Sequence, residues 1–112
     1  MKKSPLKFIL LLLLVAACGR GKSAAREILN VSYDPTREFY RDFNEAFLKH
    51  WRSSHPGEEI SFRMSHGGSG KQARSVVDGL AADVVTLALA YDVDEIAAEG
   101  LIDKDWMEKF PD

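Results

Sequence analysis

Ile60-Ser61-Phe62-Arg63-Met64-Ser65-His66-Gly67-Gly68-Ser69-Gly70-Lys71-Gln72-Ala73-Arg74-Ser75-Val76-Val77 is the stretch whose reading decides the fold. Ile60 to Met64 is strand-like, and Gln72 to Val77 is helical. Between them Ser65 to Gln72 holds three glycines and two serines, so the backbone N–H groups at the strand-to-helix junction are left bare. The helix behind adds its own unpaired N–H groups and the positive end of its dipole. Such a junction binds anions.

The residues on either side repeat the unit. Ile28 to Tyr33 reads as a first strand, with Asp34 as N-cap and Pro35 at the first position of the helix that follows. In that helix Phe39, Tyr40, Phe43, Ala46, Phe47, His50 and Trp51 recur at three- and four-residue spacing. Arg41, Asp42, Glu45 and Lys49 fall opposite. Ser53-Ser54-His55-Pro56-Gly57 ends it. A second strand is expected over about Glu59 to Met64 and a second helix over about Ser69 to Leu80. Asp83 to Leu89 is apolar with little alternation, as in a parallel strand buried on both faces. Short helices are expected at Asp92 to Ala98 and Asp103 to Lys109. Strand and helix alternate, so the fold class is α/β, an open sheet in three layers. Ligands of such sheets sit beyond the carboxyl ends of the strands. Ser32-Tyr33-Asp34, Ser65 to Ser69 and Ala90-Tyr91-Asp92 are the three segments placed there.

The amino-terminal end has a different character. Lys2, Lys3 and Lys7, the apolar run Phe8 to Val15 and the small pair Ala16-Ala17 have the form of a secretory signal over residues 1–17. The run is too short to span a bilayer as a mature helix. Cys18, the only cysteine, follows Val15-Ala16-Ala17, a string that resembles the lipobox of bacterial lipoproteins. Ordinary cleavage after Ala17 is the alternative; a lone cysteine in an exported chain favours acylation. Residues 18–27 read as a tether and 28–112 as the folded part. Removing residues 1–17 takes three of the 15 basic residues and none of the 17 acidic ones, leaving 12 against 17 and a formal charge of −5. A mildly acidic chain has no basic patch to offset nucleic-acid phosphates, so nucleic acid is not an expected partner. The chain also reads as the opening of a larger domain.

Three look-alikes of the glycine loop can be weighed. A Walker A loop needs glycine where Ser65 stands and Ser or Thr where Gln72 stands, so a triphosphatase has no case. Gly68, Gly70 and Ala73 fit the dinucleotide fingerprint, with Asp92 some twenty residues on. That fingerprint normally opens the first βα unit of its domain, and here one unit precedes it; an exported dinucleotide-binding enzyme remains the alternative. Ser69 and His66 lack the G-x-S-x-G elbow and a third partner, so no catalytic residue is nominated and no enzyme is expected. His66 reads as a loop-bracing hydrogen bonder, His50 as packed on the apolar helix face, and His55 as exposed. One cysteine and scattered histidines support no metal site and no cofactor.

Three segments together carry a resemblance. Leu29 to Glu38, Ser65 to Ala73 and Thr86 to Val93 resemble the sulfate/thiosulfate-binding proteins of bacterial ABC importers, in the order that family has them. The resemblance implies the amino-terminal part of lobe 1 of a type II periplasmic-binding-protein fold. It implies sulfate or thiosulfate as ligand, ABC permease subunits as membrane partners, a periplasmic or extracytoplasmic location and a monomeric carrier. Carried over by position, it puts a ligand-binding backbone N–H at Asp34 and a ligand-binding hydroxyl at Ser69. Ser65, His66, Gly67, Gly68 and Gly70 form the supporting loop, and Cys18 is a departure as the lipidation site. The carboxylate of Asp34 would repel a dianion, so it is expected to cap its helix while the N–H faces the ligand. Lys71 is expected to be solvated. A site of donors alone accepts sulfate and rejects hydrogen phosphate, whose proton finds no acceptor, at about 1–3 kcal/mol or more.

Overall fold

The computed structural model describes residues 25–109. The signal segment, Cys18 and most of the tether lie outside the described residues. Three parallel strands form the sheet, in the order β2-β1-β3: β1 Arg26–Tyr33, β2 Ile60–Gly67 and β3 Val84–Thr86. A 3-10 turn at Asp34–Thr36 leads from β1 into helix α1, Arg37–Ser54. Helix α2, Ser69–Val77, follows β2, and helix α3, Ala90–Ala98, follows β3. A second 3-10 turn, Trp106–Lys109, stands where a short helix was expected. The α/β alternation is therefore the observed one.

Register and the two-residue period of a strand assign the layers. Leu29 and Val31 share one face of β1 and pack with Ala73 and Val76 of α2 and Ile96 of α3. Asn30 and Ser32 take the other face, where Asn30 is aligned with Met64 and Ser32 with His66. Helix α1 covers that face. Its Asn44 Nδ2 donates to Met64 Sδ at 3.2 Å, and Phe47 meets Phe62 edge-on with ring centroids 5.8 Å apart. Because both faces of β1 are covered, Leu29 to Ser32 are all buried. Each fully buried aliphatic side chain there contributes about 1.5–3 kcal/mol. Asp83 fastens β3 to β1 before the strand begins, accepting the Leu29 N–H at 2.8 Å and donating its own N–H to Leu29 O at 2.9 Å.

Several sequence expectations are corrected. The tether stops short of residue 27, because Arg26 and Glu27 pair with Ile60 and Ser61 in the ladder. Strand β2 runs to Gly67, so Ser65, His66 and Gly67 belong to the strand rather than the loop. Strand β3 is only three residues long and lies at the sheet edge, which leaves Val84 42% exposed instead of buried. Helix α2 stops at Val77, where Asp78 begins a turn. Helix α1 is seated by Tyr40, Asn44, Phe47, Leu48 and Trp51, a stripe rotated from the expected one. Phe39 is left 60% exposed, Phe43 47% and His50 exposed. The two contacts of Asn44 and Phe47 with β2 set that rotation. His55 is half-buried instead of exposed, its ring stacked on Trp51 at 3.7 Å between centroids.

Candidate anion site

The ladder aligns Tyr33 with Gly67 and Ser32 with Thr86. Consequently the chain leaves all three strands at one edge. Asp34 and Gly68, the next residues after the first pair, open their helical turns side by side. Gly68 is the N-cap of α2, with extended φ −61° and ψ 141°, and the first helical hydrogen bond runs from Gln72 N–H to Gly68 O at 2.9 Å. The N–H groups of Ser69, Gly70 and Lys71 precede that bond and have no acceptor within the helix. A Cβ added at Gly68 would meet nothing within 4 Å, so the space beside this residue is open.

Asp34 does not cap a helix. It is the first residue of the 3-10 turn, no side-chain cap bond is made there, and its carboxylate pairs with Arg37 at 3.0 Å. The guanidinium three residues on reaches the carboxylate and takes the place of a backbone cap. The pair is exposed and contributes little to stability. The first N–H of the turn has no acceptor within the turn itself.

Side chains knit the three loops together. Gln72, buried at 4% exposure, reaches both neighbouring strands. Its Nε2 donates to Ser32 O at 3.0 Å and to Ser65 O at 2.7 Å, and meets Ser65 Oγ at 3.1 Å. A Cβ at Gly67 would lie 3.3 Å from Gln72 Oε1, so this side chain would have to shift by a few tenths of an ångström to admit one. On the α1 face Ser32 Oγ and His66 Nδ1 share a hydrogen bond of 2.9 Å, and the hydroxyls of Tyr40 and Thr86 share another. His66 thus bonds across the sheet edge from within β2, not from the loop in which it was expected. Ser69 ties the second loop to the third. Its hydroxyl donates to Asp92 Oδ2, and its Oγ accepts the Ala88 N–H at 2.8 Å. The Ser69 hydroxyl, expected to face a ligand, is instead turned to the Asp92 carboxylate; the backbone N–H of Ser69 has no acceptor within the helix.

Sequence reasoning met Gln72 and Asp92 in the look-alike motifs but gave neither a bond across the sheet edge. Both carried a signal. Each stands one helical turn before a buried aliphatic residue, Gln72 before Val76 and Asp92 before Ile96, and so points inward at the sheet edge. The dinucleotide reading is not favoured, because Asp92 is spent on Ser69. Lys71 is exposed, as expected. Among the described residues no three His, Cys, Asp or Glu side chains gather as a metal site requires.

His66 is held below its ordinary pKa, first by burial and then by the nearby Arg37 guanidinium, with Asp34 opposing. The folded chain thus prefers the neutral ring, while the unfolded chain protonates near pH 6.5. Stability is fully present above about pH 6.5 and falls as pH drops below it toward the folded value. Thermal unfolding of the full chain should show a midpoint that declines from about pH 7 to pH 5, and His66→Gln should flatten that decline. An equal slope in the variant would assign the decline to other groups.

Comparison with known proteins agrees with this geometry. The family model for bacterial extracellular solute-binding proteins matches residues 29–110. The sulfate-binding protein of Escherichia coli K12 is 60% identical over 86 residues, covering 77% of this chain and 26% of that protein. The thiosulfate-binding protein of Pseudomonas aeruginosa is 52% identical over 96 residues, 85% of this chain and 29% of that one. Among solved structures, the sulfate-binding protein SubI from Mycobacterium tuberculosis H37Rv superposes with a TM-score of 0.58 at 28% identity. That match covers 74% of this chain and 28% of the other. The chain spans about a quarter to a third of the length of the curated relatives it matches. The parallel α/β layering described above is the fold it shares with that structure.

Proposed function

Because the chain belongs to the bacterial extracellular solute-binding proteins, we propose that it binds sulfate or thiosulfate outside the cytoplasmic membrane for delivery to an ABC-type permease. In this reading the chain from β1 onward, beginning at Arg26, is the amino-terminal part of the first lobe. The relatives named for sulfate and thiosulfate support the choice of ligand. The carrying observation is the register of Tyr33 with Gly67, which brings two helical N-termini to one sheet edge. The backbone N–H groups of Asp34 and Ser69 then donate to the oxyanion, and Gly68 leaves room for it. Two such termini meet a dianion with fixed dipoles and no cationic side chain. Cys18 would carry a lipid that tethers a monomeric carrier to the membrane, and residues 1–17 would be the signal that exports it.

The role is carriage and not chemistry, and selectivity follows from counting donors. Sulfate and thiosulfate accept hydrogen bonds only, whereas hydrogen phosphate must also place a proton. Calorimetric titration of the full chain should show sulfate and thiosulfate bound, and phosphate about 10- to 100-fold weaker. Phosphate bound as tightly as sulfate would refute a donor-only site. Binding of a nicotinamide dinucleotide in place of sulfate would favour the fingerprint of Gly68, Gly70 and Ala73 instead.

A further inference from the structure

Asp92 is a buried carboxylate, 6% exposed, at the edge where the anion site lies. It stands in the first turn of α3. One of its oxygens takes the Ser69 hydroxyl proton. The other lies 3.6 Å from the place a Cβ on Gly70 would occupy, so the acid also sits against the first turn of α2. A carboxylate in such a place is favoured by the positive ends of both helix dipoles, as a bound anion would be. Ser69 carries both the hydroxyl bonded to Asp92 and a backbone N–H with no acceptor in the helix. An anion held by that N–H therefore meets a negative group already in residence, within the reach of a single serine.

We propose that Asp92 is a resident anion that competes with the ligand. It draws on the amino ends of α2 and α3 and on the Ser69 hydroxyl, and its charge holds sulfate affinity below the value the N–H groups alone would give. The inference rests on the oxyanion-binding reading above. Two effects of the side chain oppose each other. As an acceptor it ties Ser69 to the third loop, whose Ala88 N–H also bonds Ser69 Oγ at 2.8 Å, and so keeps the loops at their spacing. As a charge it repels the dianion. A single charge and a dianion about 6 Å apart repel by about tenfold in affinity even in the dielectric of bulk water. A carrier must also release what it binds, and a built-in rival for the same dipoles eases release.

The test is calorimetry with sulfate at neutral pH on the full chain and on variants of position 92. Asp92→Asn keeps an oxygen to accept the Ser69 hydroxyl and removes the charge, so it should bind sulfate about tenfold or more tighter than the unmodified chain. Asp92→Ala removes brace and charge together and should bind less tightly than Asp92→Asn. A residue that only braces the loops gives no gain in either variant. Should Asp92→Asn fail to fold, Asp92→Ser, which also offers an oxygen without a charge, carries the test and should likewise bind more tightly than the unmodified chain. Sulfate bound by the uncharged variant as in the unmodified chain, or more weakly, overturns the proposal. An unmodified chain that binds no sulfate brings down the oxyanion reading itself, a result distinct from that one.

Discussion

Replacing Gln72 by Glu should destabilise the fold by about 3–5 kcal/mol, a large share of the 5–15 kcal/mol that holds a domain together. The amide at position 72 is buried and acts as a donor toward Ser32 O and Ser65 O, two carbonyl oxygens at 3.0 and 2.7 Å. A carboxylate in its place has the same size and shape but turns acceptor against acceptor. It also brings a charge to a position with no cation paired to it. The lost donor bonds alone leave two carbonyls short of a partner, at about 1–3 kcal/mol each when buried. The pH dependence identifies the cause. Burial raises the pKa of the introduced carboxyl above that of the unfolded chain, so its neutral form, which can donate once, persists in the fold. The deficit should shrink as pH falls toward about 4 and grow as pH rises. Urea unfolding of the full chain at several pH values measures it. A loss below about 1 kcal/mol at neutral pH would mean that the amide is not pinned between the strands.

The same residue shows what was legible in the chain beforehand. The alternation of strands and helices depends on local apolar patterns and turn residues, and these read correctly from Ile28 to Ala98. The sheet edge that carries the candidate site followed from the fold class, although the second strand runs on to Gly67 instead of ending at Met64. What did not follow were bonds between elements far apart in sequence. Gln72 reaches Ser32 across forty residues and Asp92 reaches Ser69 across 23. Gln72 had entered the reading only as the residue that spoils a Walker A loop. The rotation of α1 was hidden for a similar reason. Phe39 and Phe43 are as apolar as Phe47, and only contact with Phe62 and Met64 decides which of them turns inward. Among the described residues β3 has a strand neighbour on one side only, and its Val84 is 42% exposed, which no local pattern records.

Those long-range bonds bear on function as well as on stability. Each joins two of the three loops: Gln72 the first to the second, Ser69 and Asp92 the second to the third. An anion held by N–H groups on separate loops is bound well only if the loops keep their spacing before it arrives, since ordering them afterwards would consume binding energy. The polar side chains at the sheet edge supply that spacing. They also explain why glycine is needed unevenly along the loop. A Cβ at Gly67 would crowd Gln72, whereas one at Gly68 would meet nothing within 4 Å.

Replacing Asp34 by Pro should weaken sulfate binding about 10- to 100-fold while leaving the fold in place, because it deletes one backbone N–H and little else. Position 34 is the first of its 3-10 turn, where proline is well tolerated. Tyr33 before it already has φ −81° and ψ 153°, the extended conformation that a residue preceding proline adopts. The ion pair with Arg37 is lost, but both side chains are more than half exposed, so the loss is about 0.5 kcal/mol or less. Proline also stiffens the unfolded chain, which offsets that by a similar amount. Asp34→Ala separates the two contributions, since it removes the carboxylate and keeps the N–H. It should cost less than about threefold in affinity, and the loss of a negative charge beside a dianion acts in the opposite direction. Calorimetry on the two variants and the unmodified chain decides the matter. A proline variant that binds sulfate as the unmodified chain does would move the ligand away from this turn. An alanine variant as weak as the proline one would mean that the carboxylate, through its hold on Arg37, shapes the site more than the N–H does.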